Sequence, residues 1–105
     1  MDHSEIEGLK RQATMVAHLL KAIANPYRLM ILCSLIEKER LSVSELNQSL
    51  PLSQSALSQH LAILRRDGLV ETQREAQNIH YFLADEKITV LVGTLYELYC
   101  KPGQI

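Results

Sequence analysis

The 105-residue sequence predicts a mainly α-helical fold that carries one small β-hairpin. Apolar residues recur at steps of three and four over most of the chain, which is the spacing of a single helix face. The spacing changes to alternation between residues 70 and 74, and the stretch from Asn78 to Leu83 is rich in β-forming residues. Prolines at positions 26, 51 and 102 predict boundaries between elements, not between domains. We therefore expect one domain spanning residues 1–105.

The composition excludes several classes of protein. Apolar residues make up 47% of the chain and charged residues 22%, which is typical of a globular domain and not of a disordered or fibrous one. No apolar run reaches the ~18 residues that cross a bilayer, and the acidic start of the chain is unlike a signal peptide. We therefore expect a cytoplasmic protein. The net charge of −1 supplies no general attraction to nucleic acid, so such binding would need a local arrangement of side chains.

The first two helices are predicted on either side of Asn25. Ser4 and Glu7 fit a capping box, which predicts a helix over about residues 5–24. Its apolar stripe comprises Ile6, Leu9, Ala13, Val16, Leu20 and Ile23. Asn25 can cap a second helix that opens with Pro26, and the apolar composition of this helix predicts that it is buried.

Two short helices are predicted next. Ser42 and Glu45 form a second capping box, which predicts a helix over about residues 43–50. Ser53 can cap the following helix, over residues 54–67. Because only a tight turn separates them, the pair is predicted to be a helix-turn-helix.

The hairpin follows directly after Gly68, which stands where a left-handed residue ends a helix. Residues 69–84 are predicted to form this hairpin, with a polar tip. A helix-turn-helix over residues 43–67 followed by such a hairpin is a winged helix-turn-helix. The expected order is α-α-(β)-α-α-β-β-α, where the bracketed strand is short.

The last helix is predicted over residues 86–100, with Asp85 as its cap. One stripe comprises Ile88, Leu91, Val92, Leu95 and Tyr99, and Val90 with Leu98 widens it. Together with the helix over residues 5–24, this gives more apolar surface than one small core needs. We therefore expect these two helices to form the two-fold interface of a homodimer.

The helix over residues 54–67 is the candidate for reading DNA. Leu57, Leu61 and Leu64 cluster on one side, and the outward arc comprises Gln54, Ser55, Ser58, Gln59, Arg65 and Arg66. Short hydroxyl and amide groups at a helix N-terminus suit contacts with base edges and phosphates. His60 flanks the apolar arc, as a packed side chain or a phosphate contact. Any solvated helix has a similar face, but the neighbouring turn and hairpin favour DNA binding.

The hairpin tip of a winged helix lies beside the minor groove or the phosphate backbone. Arg74, Gln77 and His80 are the candidate contacts, with Arg74 the strongest of the three. The alternative is a charged residue on a solvated hairpin, and Glu71 and Glu75 nearby predict weak, salt-sensitive binding.

Two cysteines are too few for a disulfide framework. Cys33, in the apolar second helix, has the position of a small core residue, whereas Cys100, in the last helical turn, should be accessible to reagents. The four histidines show no metal-ligand spacing, and the sequence lacks a catalytic triad and a glycine-rich phosphate loop. We therefore predict neither an enzyme nor a bound metal or cofactor. A thiol peroxidase or reductase would depend on Cys100 alone.

The stretches LLKAIANPYRLMILCSL and LSQSALSQHLAILRRDGLV resemble the ArsR family of winged-helix transcriptional regulators. Many members of this family release DNA on binding metals, through cysteines in the helix before the turn or through Asp and His on the last helix. Here Ser42 and Ser44 stand at the first of these sites, and the last helix has no histidine. The sequence therefore departs from both kinds of metal sensor.

Cys33 in ILC and Cys100 in LYC resemble the cysteine pair of the branch that includes HlyU, BigR and SqrR, with HlyU-like members the best match. The resemblance implies a homodimer on a palindromic operator, whose DNA affinity falls when reactive sulfur species or oxidants modify the pair. Repression of sulfur-detoxification genes and control of virulence genes are both implied. The alternatives are a metal-responsive repressor and a winged-helix module that binds protein instead of DNA.

Overall fold

The computed structural model describes residues 1–103 and has the predicted order of elements. The helices are α1 (His3–Ile23), α2 (Pro26–Lys38), α3 (Val43–Ser49), α4 (Gln54–Arg66) and α5 (Glu86–Leu95). The strands are β1 (Leu41–Ser42), β2 (Val70–Glu75) and β3 (Asn78–Leu83). A π turn, Tyr96–Cys100, continues α5. This is a winged helix-turn-helix, as the sequence predicts.

The strands form one antiparallel sheet in the order β1-β3-β2. Leu41 pairs with Tyr81, so β1 attaches the segment before α3 to the hairpin. The hairpin of β2 and β3, the wing, closes at the Glu75 and Asn78 pair. Its two-residue turn places Ala76 at φ 55°, in the left-handed region that such tight turns require.

The core lies where α2, α4 and the first half of α5 meet the sheet. Leu57, Leu61 and Leu64 are buried, which confirms the predicted inner face of α4. The remaining buried apolar residues are Ala22, Ile23, Ile31, Leu32, Leu35, Leu41, Leu46, Leu50, Leu69, Val70, Ile88 and Val92. The core therefore fixes α4 from behind and leaves its opposite face open.

Local capping explains where most helices begin. The Asn25 side chain accepts hydrogen bonds from the backbone N–H groups of Tyr27 and Arg28, at 3.0 and 3.1 Å. Ser42 and Glu45 make both bonds of the predicted capping box, at 3.1 and 3.0 Å. Ser53 and Asp85 also cap the starts of α4 and α5, as predicted. Gly68, which follows the end of α4, has the positive φ of 79° expected of a residue that ends a helix.

The prediction for the start of α1 is wrong. Asp2, not Ser4, is the N-cap, and its carboxylate accepts a hydrogen bond from the backbone N–H of Glu5 at 2.8 Å. Aspartate caps a helix as well as serine does, so the earlier of the two residues begins the helix, at His3 instead of about residue 5.

The prediction of one continuous α-helix over residues 86–100 is also wrong. The α-helix ends at Leu95, and the backbone N–H of Lys101 donates to the carbonyl of Tyr96 at 2.8 Å, which is the five-residue spacing of a π turn. The extra residue in this turn rotates everything after it. Tyr99, predicted on the apolar stripe of this helix, lies in the π turn and is 74% exposed.

No single helix in the described part of the chain is long and apolar enough to span a membrane; α1 and α2 pass that test only as a pair bent by 94°.

Candidate nucleic-acid interface and cysteine pair

Helix α4 presents the predicted polar arc to solvent. The Ser53 hydroxyl accepts from the backbone N–H of Ala56 at 3.1 Å and so orders the start of the helix. All six residues of the predicted outward arc are exposed: Gln54, Ser55, Ser58, Gln59, Arg65 and Arg66. A groove of about 530 Å³ runs from this arc to Tyr81 of the sheet. The arc is therefore accessible, and its N-terminal half bears neutral hydrogen-bonding groups.

The two arginines at the end of α4 have different surroundings. The Arg66 guanidinium donates to both carboxylate oxygens of Asp67, at 3.1 and 3.2 Å. This bond, together with a weaker contribution from His18, holds the pKa of Asp67 below its ordinary value. Among the described residues Arg65 forms no ion pair. Arg65 is therefore better placed than Arg66 to meet a phosphate.

His60 is half-buried on the flank of α4, against the first turn of α2. The Arg28 guanidinium approaches His60 Nδ1 at 3.4 Å, and the Tyr27 ring lies 5.9 Å from the imidazole, centroid to centroid. Burial, and then the charge of Arg28, lower the pKa of His60 below its ordinary value. Sequence reasoning missed Arg28 and Tyr27. The available signal was a charged residue inside a mostly apolar helix.

The wing exposes the two predicted contacts near its tip, Arg74 and Gln77. An ion pair between Arg40 and Glu75 connects the loop after α2 to the wing. His80 is not at the tip; it lies in the central strand, opposite Ser42 and Gln73. Arg74 and Gln77 are therefore the residues through which the wing could touch a nucleic acid.

Cys33 and Cys100 lie in one groove between α2 and the π turn. The groove has a volume of about 390 Å³. Cys33 is half-buried, where full burial was expected, and Cys100 is exposed as predicted. Burial raises the pKa of the Cys33 thiol to about 12, and the neighbouring Cys100 thiol adds to the shift by hydrogen bonding and by charge. The pair therefore combines one accessible thiol with one shielded thiol that stays protonated.

Tyr96 and Glu37 border the same groove. The Tyr96 hydroxyl donates to the Glu37 carboxylate at 3.3 Å, which joins the π turn to α2 beside Cys33. Burial and the charge of Glu37 raise the pKa of Tyr96 above its ordinary value. Nothing in the spacing of the sequence indicated this bond.

Within residues 1–103, no three His, Cys, Asp or Glu side chains cluster so that they could hold a metal ion.

Comparison with known proteins gives consistent matches. Residues 25–72 match the model of the "bacterial regulatory protein, arsR family". The transcriptional activator HlyU of Vibrio cholerae is 48% identical over 94% of this chain and 91% of its own length. The biofilm growth-associated repressor of Xylella fastidiosa is 43% identical over 93% of this chain and 85% of its own length.

Two solved structures show how closely the fold agrees. Reduced HlyU from Vibrio cholerae superposes with a TM-score of 0.83 at 48% identity, over 90% of this chain and 99% of that one. The transcriptional repressor BigR from Xylella fastidiosa has a TM-score of 0.83 at 40% identity, over 94% of this chain and 97% of that one.

Proposed function

Because the chain belongs to the arsR family of bacterial regulatory proteins, we propose that it is a homodimer that binds specific DNA sequences and loses affinity when Cys33 and Cys100 are modified. Regulation of transcription is what it shares with its relatives. These include one protein named an activator and one named a repressor, so the direction of regulation does not follow from them. The observation that carries the proposal is the single groove that holds both cysteines.

The exposed arc of α4 supports a role in reading DNA. Glutamine and serine side chains can reach base edges in the major groove, and a capped helix N-terminus suits a phosphate. The proposed contacts are Gln54, Ser55, Ser58, Gln59, His60, Arg65 and Arg66 on α4, with Arg74 and Gln77 on the wing. Glu71 and Glu75 on the same wing limit general attraction, so recognition depends on local contacts.

Exposed apolar side chains on α1 and α5 support a homodimer. On α1 these are Ile6, Leu9, Met15, Val16 and Leu20, between 46% and 66% exposed. Val90 and Leu98 on and after α5 are each 62% exposed. A second copy of the chain is the proposed occupant, because a two-fold axis would bury both helices and would present two α4 helices to a palindromic site.

The cysteine pair supports control by a sulfur oxidant. The exposed Cys100 thiolate attacks the terminal sulfur atom of a polysulfide, forming a persulfide and releasing the remaining sulfur chain as a shorter polysulfide anion. Cys33 then gives up its proton and attacks the Cys100 sulfur, which forms a disulfide and releases hydrosulfide. A bridge that retains extra sulfur atoms is the alternative product. Either bridge ties α2 to the π turn.

Such a tie can change DNA affinity because α2 and the π turn contact different parts of the dimer. Helix α2 packs against α4, whereas the π turn continues α5, the proposed interface helix. A small shift between them changes the separation of the two α4 helices, and a coupling of about 1–3 kcal/mol is enough for a useful response.

The test is DNA binding by the wild type, Cys33→Ser, Cys100→Ser and the double variant, before and after polysulfide treatment. All four proteins should bind when reduced, and only the wild type should lose affinity. A double variant that still responds would remove the cysteines from the mechanism. Binding to no member of a randomised DNA library would contradict the DNA-binding role itself.

A further inference from the structure

Arg28 joins the end of α1 to the flank of α4. Its Nε donates to the carbonyl of Ala22 at 2.6 Å, and its Nη1 lies 3.4 Å from His60 Nδ1. The Ala22 carbonyl would normally accept from the residue four positions later, but that residue is Pro26, which has no N–H. The Arg28 guanidinium therefore donates the hydrogen bond that Pro26 cannot donate to the carbonyl of the buried Ala22.

This geometry determines what His60 can offer. A guanidinium has donors only, so a hydrogen bond with Arg28 requires a free lone pair on His60 Nδ1. In a neutral imidazole the single proton is then on Nε2. Burial and the adjacent positive charge both disfavour the doubly protonated ring.

We propose that Arg28 is a positioning residue that fixes the Nε2–H tautomer of His60. Helix α4, the proposed recognition helix, then offers a neutral hydrogen-bond donor to an acceptor on DNA. This inference rests on the proposed function for its DNA-binding part only. The acceptor is an oxygen or nitrogen atom of DNA, in a phosphate or on a base edge. Tyr27 packs against the same imidazole and restricts its rotation.

Lysine could not replace Arg28 in this role. One planar group reaches two acceptors on two different helices through two of its nitrogens, whereas an ammonium is a point charge at the end of a flexible chain. The groups that face His60 from α2 are Arg28 and Tyr27, and Arg28 is the charged one of the two. Removal of Arg28 therefore removes a positive charge from beside the ring.

The first test observes the imidazole directly, without DNA. Long-range ¹H–¹⁵N spectra of the ¹⁵N-histidine-labelled full chain should show His60 as the Nε2–H tautomer, with a titration midpoint below 6.5. In Arg28→Met the midpoint should rise and the tautomers should mix. Arg11→Gln, which removes an exposed arginine from α1, should leave both unchanged. A wild-type Nδ1–H tautomer, or a midpoint insensitive to Arg28→Met, would overturn the proposal.

Arg28→Met leaves the Ala22 carbonyl without its donor and could unfold the chain. Arg28→Lys keeps the charge, so it tests the tautomer in a milder variant. Because Arg28→Lys keeps the charge, we expect the titration midpoint of His60 to stay low. The two tautomers of His60 should still mix, because an ammonium lacks the planar pair of donor nitrogens of the guanidinium. A single Nε2–H tautomer in Arg28→Lys would show that charge alone suffices and would overturn the positioning role.

The second test uses two substitutions of His60 that place one amide N–H at different positions. A glutamine N–H lies near the position of histidine Nε2, and an asparagine N–H lies near that of Nδ1. His60→Gln should keep DNA affinity within about threefold, and His60→Asn should lose roughly tenfold, the value of one hydrogen bond. If His60→Asn loses the same affinity for specific and for random DNA, the acceptor is a phosphate. If it loses affinity for specific DNA alone, the acceptor is on a base edge. Equal affinities of the two variants would overturn the DNA contact, whereas a wild type that binds no DNA would instead refute the proposed function.

Discussion

The carboxylate of Asp67, the C-cap of α4, lies 3.2 Å from the imidazole Nε2 of His18 on α1. The Asp67 side chain is only 7% exposed, although both of its partners, His18 and Arg66, are largely in solvent. A single carboxylate therefore joins the end of the proposed recognition helix to the proposed dimer helix. Because these contacts need an ionised carboxylate at Asp67, they make the stability of the folded chain depend on pH.

The first prediction concerns pH. Because the folded-state pKa of Asp67 is below its ordinary value of 3.8, the folded chain favours the ionised carboxylate. The resulting stability is present above the unfolded-state pKa and is lost as the pH falls through the folded-state pKa. Urea unfolding between pH 2 and 6 should show a smaller loss of stability in Asp67→Asn than in the wild type. Parallel curves for the two proteins would contradict this assignment.

The second prediction concerns helix capping. Asn25→Ala removes the acceptor of two backbone N–H groups at the start of α2 and should cost about 0.5–2 kcal/mol of unfolding free energy. Ser4→Ala is the matched control, because Ser4 lies inside α1 and does not cap it. Chemical denaturation should leave Ser4→Ala within about 0.5 kcal/mol of the wild type. A larger loss of unfolding free energy in Ser4→Ala would indicate that Ser4 caps α1, as the sequence suggested.

The third prediction concerns the dimer. Leu9→Glu places a carboxylate on the exposed apolar stripe of α1, where Leu9 is 52% exposed, and should dissociate the dimer without unfolding the chain. Thr14→Glu adds the same charge to the opposite face of α1 and should leave the dimer intact. Sedimentation at micromolar concentration distinguishes the two. A wild type that sediments as a monomer would refute the proposed assembly.

The fourth prediction separates the roles of α4 and the wing. Gln59→Ala should cost about 1–3 kcal/mol of binding free energy at the specific site and little on random DNA. Arg74→Ala should weaken binding to all sequences alike and should reduce the salt dependence by about one phosphate contact. Affinity measured at several salt concentrations on both DNAs checks this. A uniform loss in both variants would contradict the assignment.

The fifth prediction concerns the order of thiol modification. The raised pKa of the half-buried Cys33 keeps its thiol protonated near neutral pH, so an alkylating reagent should modify the exposed Cys100 first. Peptide mass spectrometry over time should give single adducts on Cys100. Alkylation of Cys100 removes its contribution to the raised pKa of Cys33, but burial remains the larger cause, so Cys33 should stay slow to react. Faster labelling of Cys33 would reverse the proposed order of attack.

Sequence reasoning succeeded where the signal was local. Asn25 with Pro26, and Ser42 with Glu45, define helix starts within four residues, so the chain alone predicts them. It failed at α1 because Asp2 and Ser4 are both good caps, and only the folded backbone distinguishes them.

Contacts between distant segments gave no signal. Arg28 and His60 are 32 residues apart, and Tyr96 and Glu37 are 59 apart, so neither pair follows from periodicity. The arc of α4 was predictable because its three buried leucines establish which face points outward. The orientation of the polar side chains on and beside that arc was not predictable, since Arg66 turns to Asp67 and His60, on the flank, turns to Arg28.

The π turn has a consequence for the length of the chain. It contains one residue more than an α-helical turn, and Cys100 is its last residue. If the same residues instead formed an uninterrupted α-helix, the Cys100 thiol would lie about 100° further around the helix axis, away from Cys33. Pairing of the two cysteines thus depends on the number of residues in this turn as much as on their identity. A relative with an uninterrupted last helix would need its second cysteine at a different position to reach the same partner.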